Sequence, residues 1–339
     1  MTGAAEASRG PGTQWSGAWT PTKYASNGAA QIAYDQLAGS AGDPLLLVMG
    51  LAVSRFWWPA GLARAFAGQG FAVARYDQRD AGQSTRMPDT GSANPFLALA
   101  RRRGGYSAED MTDDAVAVLD ALGWERGHIF GGSLGGIIAQ RTALRHPDRV
   151  LSVVSAMAMP SDAVGIKAGR YIRFGTLARL ARIKVPEGSE GDIQLSLMLA
   201  RAVASPAYPF DETAAREWIE REIDSGPRDT KAQSRQVGAP WHGPKLREMR
   251  RPVLVLHGDS DPILRVSAAP GYSEHHSGRA FDLTTPGYRA LEEEFEKSPA
   301  FAWLSTNAKV YGFSMTYPRG NKHAIAYEPW HWCYRASAA

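Results

Sequence analysis

The stretch Gly131-Gly132-Ser133-Leu134-Gly135 constrains this chain more than any other. It follows the apolar run His128-Ile129-Phe130 directly and leads straight into the apolar helix start Ile137-Ile138-Ala139. A strand turning so abruptly into a helix brings two backbones together, so Gly131 and Gly135 must lack side chains. The turn lifts the Ser133 hydroxyl above the carboxyl edge of a sheet, where open α/β sheets bind ligands. Two other readings of a Gly-rich turn are a loop without chemistry and a dinucleotide site. In the latter register, Ser133 occupies the place of the second glycine of G-x-G-x-x-G.

Four more apolar runs accompany this one: Pro44-Leu45-Leu46-Leu47-Val48-Met49 ending at Gly50, then residues 71–76, 150–155 and 253–256. Continuous apolar runs suit strands buried on both faces. Helical stretches separate them, at 58–67 and at 107–122. The second has a Ser107/Asp110 capping signal and places Met111, Ala115, Val118, Leu119 and Leu122 on one face. Strands alternating with helices imply an α/β fold with a mostly parallel sheet. Residues 160–248 interrupt the alternation with helix-prone, Arg-rich sequence and read as a helical cap. Tyr171, Phe174, Trp218 and Trp241 within it either line an apolar pocket or pack cap against core. Residues 1–29, without periodicity, read as a disordered leader to an α/β domain spanning 30–267.

Composition serves mainly to exclude. The net charge is +4 with no Lys/Arg block, so nucleic acid is not an expected partner. A single cysteine, Cys333, rules out an internal disulfide and fits a reducing compartment. No apolar segment approaches the roughly 20 residues of a spanning helix, and residues 1–30 lack a signal-like apolar core. The expectation is a cytoplasmic chain without a membrane partner. The sequence carries no sign of its oligomeric state.

For acyl-transfer chemistry, Ser133 needs two oxyanion donors, an acid and a base. One donor is the N–H of Leu134, the residue after the nucleophile. The other comes from the loop after the first buried strand, where Gly50 lets backbone face the site, and Leu51 is the choice. Following the late strand, His257-Gly258-Asp259-Ser260-Asp261-Pro262 supplies two carboxylates. Asp261 is the better candidate acid, and Asp259 reads as a turn residue.

Taken together, residues 30 to about 265 resemble the α/β-hydrolases that include aclacinomycin methylesterase and bacterial carboxylesterase-like proteins. The residues that carry this are Leu45-Leu46-Leu47-Val48-Met49-Gly50, the run from Arg75 through Ser84, the run from Asp113 through Asp120, and the elbow, in that family's order. The resemblance implies a serine ester hydrolase without cofactor, acting on a small-molecule ester. It also implies a helix, a last strand and a catalytic histidine roughly 25 to 30 residues beyond the acid. Here His275 and His276 stand only 14 and 15 positions after Asp261, too few for helix plus strand, and His323 stands 62 positions after it. The fold is therefore expected to be truncated before its last strand.

A different pattern follows. Ser273-Glu274-His275-His276-Ser277-Gly278-Arg279-Ala280-Phe281-Asp282 fits S-x-H-x-x-G-x-A-x-D, and Glu328-Pro329-Trp330-His331 fits E-x-W-H. His275, Asp282 and His331 offer zinc two imidazoles and a carboxylate, leaving a fourth position for water. Glu328, three residues before a ligand, is placed to take that water's proton. Residues 268–335 resemble the VanY-type D-Ala-D-Ala carboxypeptidases, which implies a peptide substrate, zinc and a small α+β segment over 268–339. The arginine and the glutamine-bearing helix of that family's preceding half have no counterpart upstream of Pro270, and Cys333 replaces a usual basic residue. About 70 residues is marginal for an independent core, although a bound metal would help. Three readings follow: a serine esterase using Ser133 and Asp261, a zinc peptidase using the tail, and a non-catalytic fusion with both sites incomplete.

Overall fold

A computed structural model describes residues 19–88, 105–163, 188–204, 209–225, 231–257, 280–285, 292–321 and 327–335, with 168, 171–173, 175, 176, 182, 186, 229, 261, 287 and 288. Seven strands form one sheet: β1 (Lys23–Asn27), β2 (Ala30–Gln36), β3 (Asp43–Val48), β4 (Phe71–Tyr76), β5 (Gly127–Gly132), β6 (Val150–Ala156) and β7 (Val253–Leu256). Their order is β1-β2-β4-β3-β5-β6-β7, antiparallel at β1-β2-β4 and parallel thereafter. Helices α1 (Ala60–Gly68), α2 (Ala108–Ala121) and α3 (Leu134–Arg145) pack on this sheet. The continuous apolar runs explain the core: Leu46, Leu47, Val48 and Ile129 are fully buried between helical layers. Ser107 and Asp110 close α2 with the expected capping box.

The 1–29 leader needs correction. Its first 18 residues lie outside the described ones, but Trp19 bridges Leu37 and Lys23–Asn27 pairs along β2. Only Ala25 of β1 is buried, so no apolar run announced this edge strand. The signal was Gly28, which with Ala29 makes the two-residue turn between the paired Asn27 and Ala30 and stands at φ +58.

Three described helices lie between β6 and β7: α4 (Ser189–Val203), α5 (Glu212–Asp224) and α6 (Ala232–Gly238). Packing accounts for two of the cap aromatics, Trp241 and Trp218. Trp241 is 8% exposed and joins the main core, while Trp218 packs against the Leu197–Ala215–Ile219 cluster. Phe174 lies outside the described residues. The tail forms a separate antiparallel sheet, β8 (Ala280–Asp282), β10 (His331–Tyr334), β9 (Phe313–Met315), preceded at β9 by α7 (Pro299–Asn307). It meets the large sheet where Leu283 bridges Leu254 of β7 in antiparallel fashion. The edge that a further hydrolase strand would cover is thus met by the tail.

Candidate active site

The strand order reverses at β3, with β4 on one side and β5 on the other, so the crevice outside their carboxyl ends is the topological switch point. Among the described residues, the non-glycine positions at positive φ are Ala52, Asp80, Ser133 and Met157. Each follows the carboxyl end of a successive strand: β3, β4, β5 and β6. Strain of this kind persists where the surroundings over-determine the backbone, and it collects at functional sites.

Ser133 has φ 54 and ψ −120 and heads α3. Its N–H donates to the Ala156 carbonyl at 2.8 Å, and its carbonyl accepts from Gly136 and Ile137. The turn depends on its glycines. A Cβ on Gly135 would lie 2.1 Å from the Val48 carbonyl oxygen, and one on Gly131 would lie 2.1 Å from the Gly135 oxygen. Both obstacles are backbone, so Gly135→Ala should lower the urea-unfolding free energy by about 1–3 kcal/mol or more. A wild-type midpoint for that variant would contradict the reading of the turn.

The Ser133 side chain is exposed, and its surroundings are small or apolar. A Cβ on Gly50 would sit 3.3 Å from Ser133 Cβ, while one on Gly132 would meet Trp58 at 3.7 Å and Met157 at 3.9 Å. Leu51 lies in the turn after β3, next to Gly50. Leu134 is the first residue of α3, where helix N–H groups have no intrahelical acceptor.

Beneath the crevice lies a buried ionic floor. Asp35 accepts from Arg55 Nε (2.8 Å) and Arg75 Nε (2.7 Å), and Asp77 pairs with the Arg55 guanidinium. Burial pushes the Asp77 carboxyl up, against the pull of Arg55. Asp80 accepts from Arg235 of the cap and from the Tyr106 hydroxyl (2.7 Å). Burial and the Asp80 carboxylate both push the Tyr106 hydroxyl up. Burial pulls Arg235 down, but its bonds to Asp80 and Asp229 outweigh this and raise it. Sequence reading missed all of these groups, because only the fold brings them together.

Asp261 lies beside His257, with Oδ2 3.3 Å from Nε2. Among the described residues, no imidazole is hydrogen-bonded to the Ser133 hydroxyl. Asp259, His275, His276 and His323 lie outside the described residues. In the tail, the β8–β10 register sets His331 opposite Asp282, with Nδ1 2.9 Å from Oδ1 and 3.9 Å from Glu328 Oε2. His331 is buried. Among the described residues, no three His, Cys, Asp or Glu side chains group as a metal site. No helix among them is long and apolar enough to cross a membrane.

Residues 45–211 match the family described as serine aminopeptidase, S33, and residues 196–337 match the VanY family, D-alanyl-D-alanine carboxypeptidase. The second match begins inside the cap, well before the tail motifs. The chain is 26% identical to rhodomycin D methylesterase DnrP of Streptomyces peucetius, over 81% of this chain and 91% of that protein. It is 34% identical to the putative carbamate hydrolase RutD of Variovorax paradoxus, over 36% of this chain and 40% of that protein. A meta-cleavage product hydrolase from Pseudomonas fluorescens shares the fold, with a TM-score of 0.52, 20% identity and coverage of 72% and 82%. Both resemblances read from the motifs are therefore borne out.

Proposed function

We propose that this chain, a hydrolase of the α/β-hydrolase type with a VanY-like tail, is a serine hydrolase of small-molecule carboxylic esters. Ser133 is the nucleophile, Leu51 and Leu134 supply the oxyanion N–H groups, and Asp261 is the acid. One observation carries the proposal: an exposed serine held at φ 54 at the switch point of the sheet. The likeness to a methylesterase supports an ester as the substrate class. Attack on the ester carbonyl also needs a base for the Ser133 proton, a role that none of the described imidazoles fills by a hydrogen bond to that hydroxyl. The test is turnover of a panel of methyl and p-nitrophenyl esters by the purified chain. Turnover lost on treatment with a serine-directed phosphonate supports the reading, and turnover insensitive to it contradicts it.

The His331–Asp282–Glu328 cluster favours a second reading, a zinc peptidase seated on the tail. On this reading His331 and Asp282, whose side chains meet at 2.9 Å, would be two of three ligands and His275 the third. Zinc, when bound there, would polarise a peptide carbonyl and activate a water. Glu328 is close enough to that pair to hold the water's proton. Stoichiometric zinc in the purified chain, lost in His331→Ala, is the expected result on this reading. Zinc near zero in the wild type would remove it. If both tests fail, the chain is a non-catalytic fusion joined near residues 265–270, between an α/β domain that takes in β1 and ends near 267 and a tail at 268–339.

A further inference from the structure

Segment 50–57 carries the Leu51 N–H, and side chains from distant parts of the chain hold it. Gln78 Nε2 donates to the Met49 carbonyl and approaches the Gly50 oxygen at 3.5 Å. That oxygen shares a rigid peptide unit with the Leu51 N–H. The next peptide unit belongs to the cap, because the Ala52 N–H donates to Gln236 Oε1 at 2.8 Å. Gln236 Nε2 donates in turn to the Arg79 carbonyl at 2.9 Å, beneath the crevice. Further along, Glu222 of α5 accepts from the Ser54 N–H (3.1 Å) and from the Trp57 indole.

Ala52 has φ +53, a conformation that a side-chain-bearing residue keeps only under external constraint. Gln236 is 2% exposed, so its side of the bond to the half-buried Ala52 is shielded from water. Its neighbour Arg235 fixes α6 on Asp80 through two bonds of 2.8 and 2.9 Å. The cap therefore grips the loop after β3 and the loop after β4 through one short helix.

We propose that Gln236 is a positioning residue that aims the Leu51 N–H by holding Ala52, so that the oxyanion site is assembled only when the cap is seated. This rests on the serine-hydrolase reading above. Gln236 touches no reacting atom, and its effect passes through backbone alone. Loss of its acceptor leaves Ala52 free to relax, and a misplaced donor costs transition-state stabilisation while substrate binding is retained.

Gln236→Met keeps the side-chain length and removes the acceptor. In the full chain, amide hydrogen exchange in a peptide spanning 50–54 should accelerate at least tenfold, with exchange in α2 and α3 unchanged. Ester turnover should show kcat reduced roughly 10- to 100-fold and KM within about twofold. Unchanged exchange at 50–54 overturns the proposal, as does a loss carried by KM alone. A wild-type chain without turnover overturns the serine-hydrolase reading and this proposal with it. Wild-type turnover that Gln236→Met fully retains overturns this proposal only.

Discussion

Ser133→Ala should lower ester kcat/KM by at least ~10³-fold while leaving the fold intact. Ser133 is exposed and no described residue hydrogen-bonds its hydroxyl, so removing it leaves no buried group without a partner. Alanine keeps the Cβ and therefore keeps the strain of φ 54. Ser133→Gly separates the two effects. It should be equally inactive yet more stable than the wild type by about 1 kcal/mol, since glycine accepts this backbone without penalty. Stability is read from urea midpoints and activity from initial rates. A Ser133→Ala chain with wild-type turnover would place the chemistry elsewhere, and a destabilised Ser133→Gly would contradict the strained-elbow account.

The second large effect concerns stability. Asp77→Ala should cost about 3–5 kcal/mol, because it removes one of the two carboxylates that offset the buried Arg55 and Arg75. Asp77 accepts from the Arg55 N–H (2.6 Å), the Arg55 guanidinium and the Gln83 N–H (2.9 Å), and both charged residues have no exposed side-chain surface. Asp35 remains to share Arg55 with Arg75, so two cations would face one carboxylate. Asp77→Asn keeps the shape and one acceptor, and it should cost less. Arg55 opens the turn that carries Trp57 and Trp58, so the damage should reach the crevice as well. Urea unfolding of the three chains gives the ranking, and an Asp77→Ala midpoint near wild type would refute it.

The elbow was legible because its requirement is local: a strand, a turn and a helix within about a dozen residues, with glycines where backbones meet. The parallel strands were legible for the same reason, each being one uninterrupted apolar run. β1 was not, because an edge strand with one buried residue has no such run and is defined by its hairpin partner. The grip of the cap was illegible on different grounds. Ala52 and Gln236 are 184 positions apart, and Asp80 and Arg235 are 155 apart. Polar residues that read as surface in a helix-prone, Arg-rich stretch proved to be buried ties, which only tertiary structure can assign. In the tail, the motif named Asp282 and His331 together, and β-pairing sets them opposite one another. The bridge from Leu283 to β7 had no sequence signal, because one bridge fixes no pattern.

Everything proposed for the esterase site depends on Ser133 being a nucleophile. Incubation of the full chain with a fluorophosphonate, followed by peptide mass spectrometry, tests it most directly. One stoichiometric adduct is expected, on Ser133, formed more slowly in Gln236→Met. An unmodified Ser133 after prolonged exposure, or an adduct on another serine alone, would contradict it.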